Sequence, residues 1–193
     1  MKLKRLLAFA MICGIVLAAC ASDNYDNGNE GVLIPADSEI EAAYEKALEA
    51  IKWFQFTTIE VDDEDLVEMD GYTFNRVIHD NIRTFADMEE YLKTIFTEEL
   101  VKWILTEDVR HRDIDGVLYV ILADRGGNIF VSDEELHEII RVSNTEIIYR
   151  VSVDVYDRPW MEDDRVVVDV EVHDFVLILV NDNWLFSNFG LVR

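Results

Sequence analysis

The sequence predicts an α+β domain, because a helical hydrophobic period in its first part gives way to a period of two. Apolar residues recur every three or four positions up to Leu105 and then alternate with polar residues. Asp115-Gly116 is a strong signal for the two-residue turn of an antiparallel hairpin. Helices followed by antiparallel strands are the element order of an α+β fold.

Three helices are predicted before the change in period. Ser38 is a suitable N-cap for the first, and Glu41 completes its capping box. A second helix is predicted from Thr84, and Thr97 can cap a short third helix, Glu98–Leu105. The first helix carries its apolar residues on one face, at Ile40, Ala43, Tyr44, Ala47, Leu48 and Ile51.

The predicted strands are runs rich in β-branched and aromatic residues. They are Tyr72–Ile78, His111–Ile114, Val117–Leu122, Ile139–Val142, Glu146–Tyr156, Arg165–Val180 and Trp184–Phe189. Ser132–Arg141 fits a helix as well as a strand, and we predict a strand only for its second half. A curved antiparallel meander sheet that wraps the N-terminal helices would bury both apolar faces. That arrangement is cystatin-like or, more broadly, nuclear-transport-factor-like.

The first twenty residues have the three-part pattern of a bacterial lipoprotein signal. Three positive residues precede an apolar run over residues 6–16, which is too short to span a membrane, and Leu17-Ala18-Ala19-Cys20 matches the cleavage box. We expect residues 1–19 to be removed and Cys20 to carry a diacylglycerol, which would anchor the protein at the extracytoplasmic face of the cell membrane. An ordinary secretory signal with a chance cysteine is the alternative.

After the anchor, the polar residues 20–37 predict a flexible tether, and residues 38–193 predict one domain. Removing residues 1–19, which hold three basic and no acidic residues, would change the formal charge from −23 to −26. Such charge disfavours nucleic acid and favours basic protein partners. Because the cysteines are Cys13 and Cys20, the domain would have no disulfide, no cysteine nucleophile and no thiolate metal site.

The sequence lacks the motifs of the common enzyme classes: a glycine-rich phosphate loop, a Gly-x-Ser-x-Gly elbow and a His-Glu-x-x-His helix. Its histidines do not have the spacing of metal ligands on a helix. We therefore predict no catalytic residue, no metal and no cofactor. An enzyme that uses paired carboxylates, such as Asp154 and Asp157 or Asp163 and Asp164, is a minor alternative.

Two segments are candidates for contact with a protein partner. The first is predicted to be a solvated acidic loop before the Tyr72 strand, and its candidate residues are Glu60, Asp62, Asp63, Glu64 and Asp65. The second is the turn Asp124–Asn128, whose two central glycines permit a tight reversal. Its candidate residues are Asp124, Arg125 and Asn128. A hydrated charge run and a plain turn are the corresponding structural explanations.

An ordered set of short motifs runs along the domain. It consists of Trp53-Phe54, Thr57-Thr58, Val61-Asp62, Asp70-Gly71-Tyr72, Arg76-Val77, Tyr91-Leu92-Lys93, Ile95-Phe96-Thr97-Glu98-Glu99, Ile114-Asp115-Gly116-Val117-Leu118-Tyr119, Ala123-Asp124-Arg125-Gly126 and Trp184-Leu185-Phe186-Ser187-Asn188-Phe189. In this set, residues 43–193 resemble the IseA-type DL-endopeptidase inhibitor family of Gram-positive bacteria, and particularly its lipoprotein members.

The resemblance implies a cystatin-like inhibitor-type domain over residues 38–193. It also implies an extracytoplasmic protein that blocks the cleft of papain-like cell-wall cysteine endopeptidases. Those enzymes cut the stem peptides of peptidoglycan, so the inhibitor would restrain autolysis. The alternative is a small-molecule or peptide-binding lipoprotein that uses the concave face of the sheet. The residues considered for such a pocket, although core packing explains each of them, are Tyr119, Tyr149, Trp184 and Phe186.

Overall fold

The computed structural model describes residues 34–56, 59–122, 126–158 and 165–192. In these ranges the helices are α1 (Asp37–Gln55), α2 (Phe85–Lys93) and α3 (Glu98–Glu107). The strands are β1 (Val61–Met69), β2 (Tyr72–Val77), β3 (His111–Ile114), β4 (Val117–Ile121), β5 (Val131–Ser143), β6 (Glu146–Tyr156), β7 (Val167–Val180) and β8 (Asn183–Phe186). The α+β class is therefore confirmed. No helix of the described ranges has the length and apolar content to cross a membrane.

The described strands form two four-stranded antiparallel sheets, so the prediction of one curved meander sheet was wrong. The first sheet has the order β1-β2-β4-β3, and the second is a meander with the order β5-β6-β7-β8. The separation follows from β4, which has β2 on one side and β3 on the other. Because both sides of β4 are already paired, the next strand along the chain cannot pair with it, and β5 pairs with β6 in the second sheet.

Three tight turns join neighbouring strands, and the turn at Asp115-Gly116 confirms the hairpin predicted there. Asp70-Gly71, Asp115-Gly116 and Asn181-Asp182 all have positive φ at both residues, with values of 48° to 82°. Two consecutive positive φ angles are typical of the type I′ turn, whose twist matches that of the flanking strands. These turns connect β1 to β2, β3 to β4 and β7 to β8.

The starts of α2 and α3 were predicted correctly. The Thr84 side chain accepts a hydrogen bond from the Asp87 N–H (3.0 Å), and the Asp87 carboxylate accepts one from the Thr84 N–H (2.9 Å). This is a reciprocal capping box, with aspartate in place of the usual glutamate or glutamine. Thr97 caps α3 by accepting a hydrogen bond from the Leu100 N–H at 3.4 Å.

The predicted cap of α1 was wrong. The helix begins at Asp37, so Ser38 lies inside its first turn, and the cap position is held by Ala36. The Ala36 N–H donates a hydrogen bond to Oε2 of Glu39 at 2.7 Å. This carboxylate satisfies a backbone group at the helix start and opposes the positive end of the helix dipole, which makes a hydroxyl cap unnecessary.

Strand β5 extends over the whole of the segment that the sequence left ambiguous between helix and strand. It pairs with β6 from Val131 to Ser143, but the register shifts between Val131 and Glu135 and again near Arg141. Each shift interrupts the alternation of side chains that identifies a strand in a sequence. The alternation in β5 was therefore partly hidden.

The core joins α1, α2 and α3 to both sheets, and its largest aromatic contacts include those between α1 and the second sheet. The Tyr44 ring of α1 stacks on Tyr149 of β6 with 4.4 Å between ring centroids, and it also meets Phe175 of β7. Trp53, near the end of α1, is 2% exposed and packs against Tyr91 of α2. Burial of these large aromatic rings is the main source of stability for the helix–sheet arrangement.

The outer face of the second sheet, which points away from α1, carries a bidentate ion pair. Arg150 of β6 donates from Nε to Oδ1 of Asp174 (2.7 Å) and from Nη2 to Oδ2 (2.9 Å). The hydrogen bonds and charge of Arg150 lower the pKa of Asp174, and their effect exceeds the opposing effect of desolvation. Glu138 of β5 lies 3.9 Å from Arg150 Nη1 on the same face.

We expect the Arg150→Gln variant to raise the pKa of Asp174 toward that of an ordinary aspartate. Because the pKa is lower in the folded chain, the pair stabilises the fold at neutral pH. That contribution disappears as the pH falls through the lowered pKa of Asp174. The carboxyl resonance of Asp174, followed by NMR from neutral to acidic pH, measures the change. Arg76→Gln, on the first sheet, is the control and should leave this titration unchanged; an unchanged titration in Arg150→Gln would contradict the prediction.

Candidate functional site

The acidic segment forms a strand, and the prediction of a solvated loop was wrong. Asp62 to Asp65 lie in β1, an outer strand of the first sheet, and Glu60 directly precedes it. Crowded carboxylates are compatible with an edge strand, because one side of its backbone pairs while the side chains remain in water. The register with β2 shifts between Asp62 and Leu66, which gives this part of the strand additional room.

Two of the five acidic residues are held by contacts within the domain. Asp65 accepts a hydrogen bond from the Tyr119 hydroxyl at 3.1 Å and lies 3.3 Å from Nη1 of Arg76. Desolvation and the hydrogen bond to Asp65 raise the pKa of Tyr119. Asp62 accepts a hydrogen bond from the Glu64 N–H at 2.9 Å. The carboxylates most exposed to a basic partner are those of Glu60, Asp63 and Glu64.

The second predicted contact segment is described only from Gly126 onward, so Asp124 and Arg125 lie outside the described residues, as does Cys20. Asn128 bonds local backbone as predicted, because its Oδ1 accepts the N–H of Phe130 at 3.1 Å. Gly126 and Gly127 do not adopt the positive φ that the sequence permits. The acidic strand and Asn128 belong to different parts of the fold, since Asn128 precedes the first strand of the second sheet.

Four exposed apolar residues occupy two neighbouring backbone segments at this end of the second sheet, and we call them the apolar tip. The Phe130 carbonyl accepts a hydrogen bond from the Tyr156 N–H (2.8 Å), and the next N–H, of Asp157, donates to the Val166 carbonyl (3.2 Å). The two apolar segments therefore flank the end of β6. The apolar tip consists of Ile129, Phe130, Val166 and Val167, whose exposed fractions are 67%, 41%, 51% and 46%.

Sequence reasoning missed Ile129 and Phe130. Their signal was available, since two bulky apolar residues directly follow Gly126-Gly127-Asn128, where a turn is predicted. Large apolar side chains at a turn are informative because most turn positions are polar. Val166 was assigned to a valine face of the last long strand, but sequence alone does not say which valines a neighbouring element covers.

A groove lies between the loop at Gly126–Asn128, the end of α1 and the C-terminal residues 190–192. One cavity of about 310 Å³ is lined by Lys52 of α1, Phe56 directly after that helix, Asp133 and Glu135 of β5, and Leu191. A neighbouring cavity of about 440 Å³ shares Phe56 and Leu191 with it. The first volume is at the lower end of the range for small-molecule sites. The combination of one lysine, two carboxylates and apolar walls suits a small ligand that carries both charge and apolar surface.

A partly buried polar cluster joins α1 to the second sheet near this groove. The Tyr44 hydroxyl donates to Glu135 Oε2 at 3.3 Å, and His137 Nε2 lies 3.4 Å from the same oxygen. The Tyr149 hydroxyl is 2.9 Å from His137 Nδ1. Desolvation, aided by the charge of nearby glutamates, raises the pKa of Tyr149 to about 12 and raises that of Tyr44 as well. Both phenols are therefore protonated at neutral pH. Tyr44 donates to Glu135, whereas the donor between Tyr149 and His137 depends on the tautomer of the imidazole.

The aromatic residues considered for a pocket on the concave face take other positions. Tyr149 and Phe186 are buried in the core, at 3% and 1% exposure, and α1 covers the concave face beside Tyr149. Tyr119 belongs to the first sheet and Trp184 is half-buried on β8. Core packing explains the two buried rings, and a ligand-binding role stays a prediction that now refers to the groove.

The histidines do not gather into a metal centre, because the described residues contain no group of three or more possible His, Cys, Asp or Glu ligands. His111, expected on a solvent-facing or pocket-lining strand position, is instead completely buried. Its Nδ1 lies 2.9 Å from Oδ2 of Asp108, whose side chain is 2% exposed. This pair holds the start of β3 against the end of α3.

The fold and these surfaces define an α+β protein that presents an apolar tip, an acidic edge strand and a groove. No protein-family model matches the chain, and a search of the curated proteins finds no match to it. The resemblance to the IseA-type inhibitors therefore stays a prediction.

Proposed function

We propose that this protein is a membrane-anchored inhibitor of papain-like peptidoglycan DL-endopeptidases on the extracytoplasmic face of the cell membrane. It binds these cysteine endopeptidases through its surface and blocks their catalytic cleft, which restrains cell-wall autolysis. In this proposal the lipid on Cys20 holds the domain at the membrane, and the helix-on-sheet unit of α1 with the second sheet is a cystatin-like arrangement. The sequence resemblance motivates the choice of target.

The apolar tip is the observation that carries the proposal. Ile129 and Phe130 are exposed at an end of the second sheet, next to the register shifts at Val131/Glu135 and Val155/Tyr156. Beyond these shifts β6 and β7 pair regularly, from Val155 with Asp169 to Glu146 with Ile178, so a continuous ladder supports the tip. An enzyme cleft that binds peptides offers apolar subsites, and a preformed apolar wedge enters such a cleft with little loss of conformational entropy. Exposed aromatic and branched side chains are also the residues that most often dominate binding energy when they become buried.

The acidic strand has a separate role in this proposal. The carboxylates of Glu60, Asp63 and Glu64 add to a formal charge of −23, so the protein attracts a basic partner over long range. Charge of this kind accelerates encounter more than it strengthens the final complex, and salt weakens it. Substitutions in the apolar tip should therefore change mainly the dissociation rate constant. Substitutions in the acidic strand should change mainly the association rate constant.

The test uses the chain from residue 21, which retains the whole compact unit Val32–Arg193. It measures cleavage of stem peptides by purified cell-wall cysteine endopeptidases in the presence of this chain. We expect inhibition by the unaltered chain, and Phe130→Asp should weaken it by about tenfold or more because an anchor side chain is lost. Trp103→Asp, which alters an aromatic residue on α3 that is 58% exposed, is the matched control and should inhibit normally. Failure to inhibit several such enzymes at high micromolar concentration would contradict the proposal.

A further inference from the structure

Strand β7 is covered on only part of one side. It pairs with β6 along its length, whereas β8 pairs with it only over Leu177–Val180. Directly after β8, Ser187 and Asn188 make further hydrogen bonds to the backbone on this side of β7. The Ser187 N–H donates to the Val176 carbonyl, the Asn188 Oδ1 accepts the Val176 N–H, and the Asn188 Nδ2 donates to the Asp174 carbonyl, at 2.7–2.8 Å. Among the described residues, no strand pairs with this side of β7 before Asp174.

The backbone groups on that side can be assigned from the pairing. Alternate residues of a strand direct their N–H and C=O to the same side, and the β6–β7 register is regular from Asp169 to Ile178. Because Val176 and Asp174 bond toward the β8 side, Val172 and Val170 also direct their backbone groups there. The Val170 N–H donates a hydrogen bond to Oδ1 of the Asp169 side chain at 2.8 Å. The N–H of Val172 and two carbonyls therefore face an open edge.

The side chains along this open edge differ on its two faces. Val168, Val170 and Val172 are 59%, 48% and 54% exposed. On the opposite face stand the carboxylates of Asp169 and Glu171. Natural proteins usually protect an open edge with charges and bulges, and β1 has both. The edge of β7 also has a register shift, at Val168, and carboxylates on one face. From Asp169 onward its pairing with β6 is regular and its other face presents valines, which suits an edge that receives another strand.

We propose that the β7 edge, residues 168–172, binds an extended segment of a partner protein as an added strand. The partner segment places apolar side chains beside the valines and Lys or Arg beside Asp169 and Glu171, so that charges on one face are complementary. Backbone hydrogen bonds to Val170 and Val172 provide affinity, and alternate side chains provide specificity. This inference goes beyond the inhibitor proposal, because it needs neither a peptidase nor the apolar tip.

The probe is a fluorescein-labelled peptide of sequence Lys-Val-Lys-Val-Lys-Val-Lys, and its anisotropy is measured with the chain from residue 21. We expect saturable binding of this peptide. The corresponding Glu-Val peptide should bind at least about tenfold more weakly, because Asp169 and Glu171 repel its carboxylates. Val172→Pro should also weaken binding about tenfold. Proline removes the edge-facing N–H and leaves the ladder to β6 intact, since that N–H points away from β6.

Leu136→Thr is the matched control. Leu136 is 74% exposed and pairs with Ser152, which pairs in turn with Val172, so it shares the outer face but lies on β5. It should bind the peptide normally. If Val172→Pro fails to fold, amide hydrogen exchange in the unaltered chain replaces it, and saturating peptide should slow exchange of the Val172 N–H about tenfold or more. The proposal would be overturned if Val172→Pro bound the peptide as tightly as the unaltered chain, or if saturating peptide left the exchange of the Val172 N–H unchanged. It would also be overturned if the chain bound phosphatidylcholine vesicles but not the peptide.

Discussion

Replacing Asp108 with alanine is expected to lower the free energy of unfolding by about 3–5 kcal/mol, because several groups share its carboxylate as their hydrogen-bond partner and a buried group left unsatisfied costs about 1–3 kcal/mol. The carboxylate contacts His111 Nδ1 at 2.9 Å and also accepts the backbone N–H groups of Arg110 and His111 at 2.9–3.4 Å. His111 Nε2 has no hydrogen-bond partner within the described residues. Without Asp108, the imidazole and two N–H groups would lose their common acceptor.

Urea unfolding followed by circular dichroism measures this change. For a domain of this size, a loss of about 3–5 kcal/mol corresponds to a melting temperature about 6–20 °C lower. Glu107→Ala is the matched control, because it removes the neighbouring exposed carboxylate and should change stability by less than about 0.5 kcal/mol. A loss below about 1 kcal/mol for Asp108→Ala would show that the pair is not needed to hold β3.

The elements that sequence predicted well are those specified by neighbouring residues. Thr84 and Asp87 satisfy each other's backbone groups, and Asp115-Gly116 supplies the two positive φ angles of a type I′ turn. Both signals act within four residues and need no knowledge of the rest of the fold. Asn181-Asp182 likewise forms its turn within the short gap between the predicted strands Arg165–Val180 and Trp184–Phe189.

Strand pairing was predicted poorly because it depends on distant residues. Nothing near Val131 states that β4 already has a partner on each side and that β5 therefore cannot pair with it. The acidic segment failed for a related reason. Its charges suggested a hydrated loop, but they are compatible with a strand once that strand lies at the edge of a sheet.

The candidate site divides in the same way. Asn128 was predicted to bond local backbone, and it does so through Phe130. The proximity of Phe130 to Val166 depends on how β6 meets the segments on both sides of it, which no local pattern encodes. Likewise, the cluster of Tyr44 with Glu135 assembles residues that are 91 positions apart.

Phe186→Ala is expected to destabilise the fold by about 3–5 kcal/mol, the cost of emptying the site of a buried phenylalanine. Phe186 is 1% exposed, and its ring meets Phe189 edge-on at 5.0 Å. Its backbone also joins β8 to the connection between α2 and α3, since its N–H donates to the Ile95 carbonyl and its own carbonyl accepts the Thr97 N–H, both at 3.0 Å. The side chain therefore packs where the second sheet meets the helices.

Leu185→Ala is the matched control, because Leu185 is the adjacent residue on the opposite, half-buried face of β8 and its truncation should cost about 1 kcal/mol. Amide hydrogen exchange then separates two explanations of the loss in Phe186→Ala. If Phe186 holds β8 to the helices, exchange of the Thr97 N–H should accelerate together with that of β8. If the Thr97 N–H remains protected while β8 exchanges faster, the helix connection is stable without this ring and its packing serves the second sheet alone.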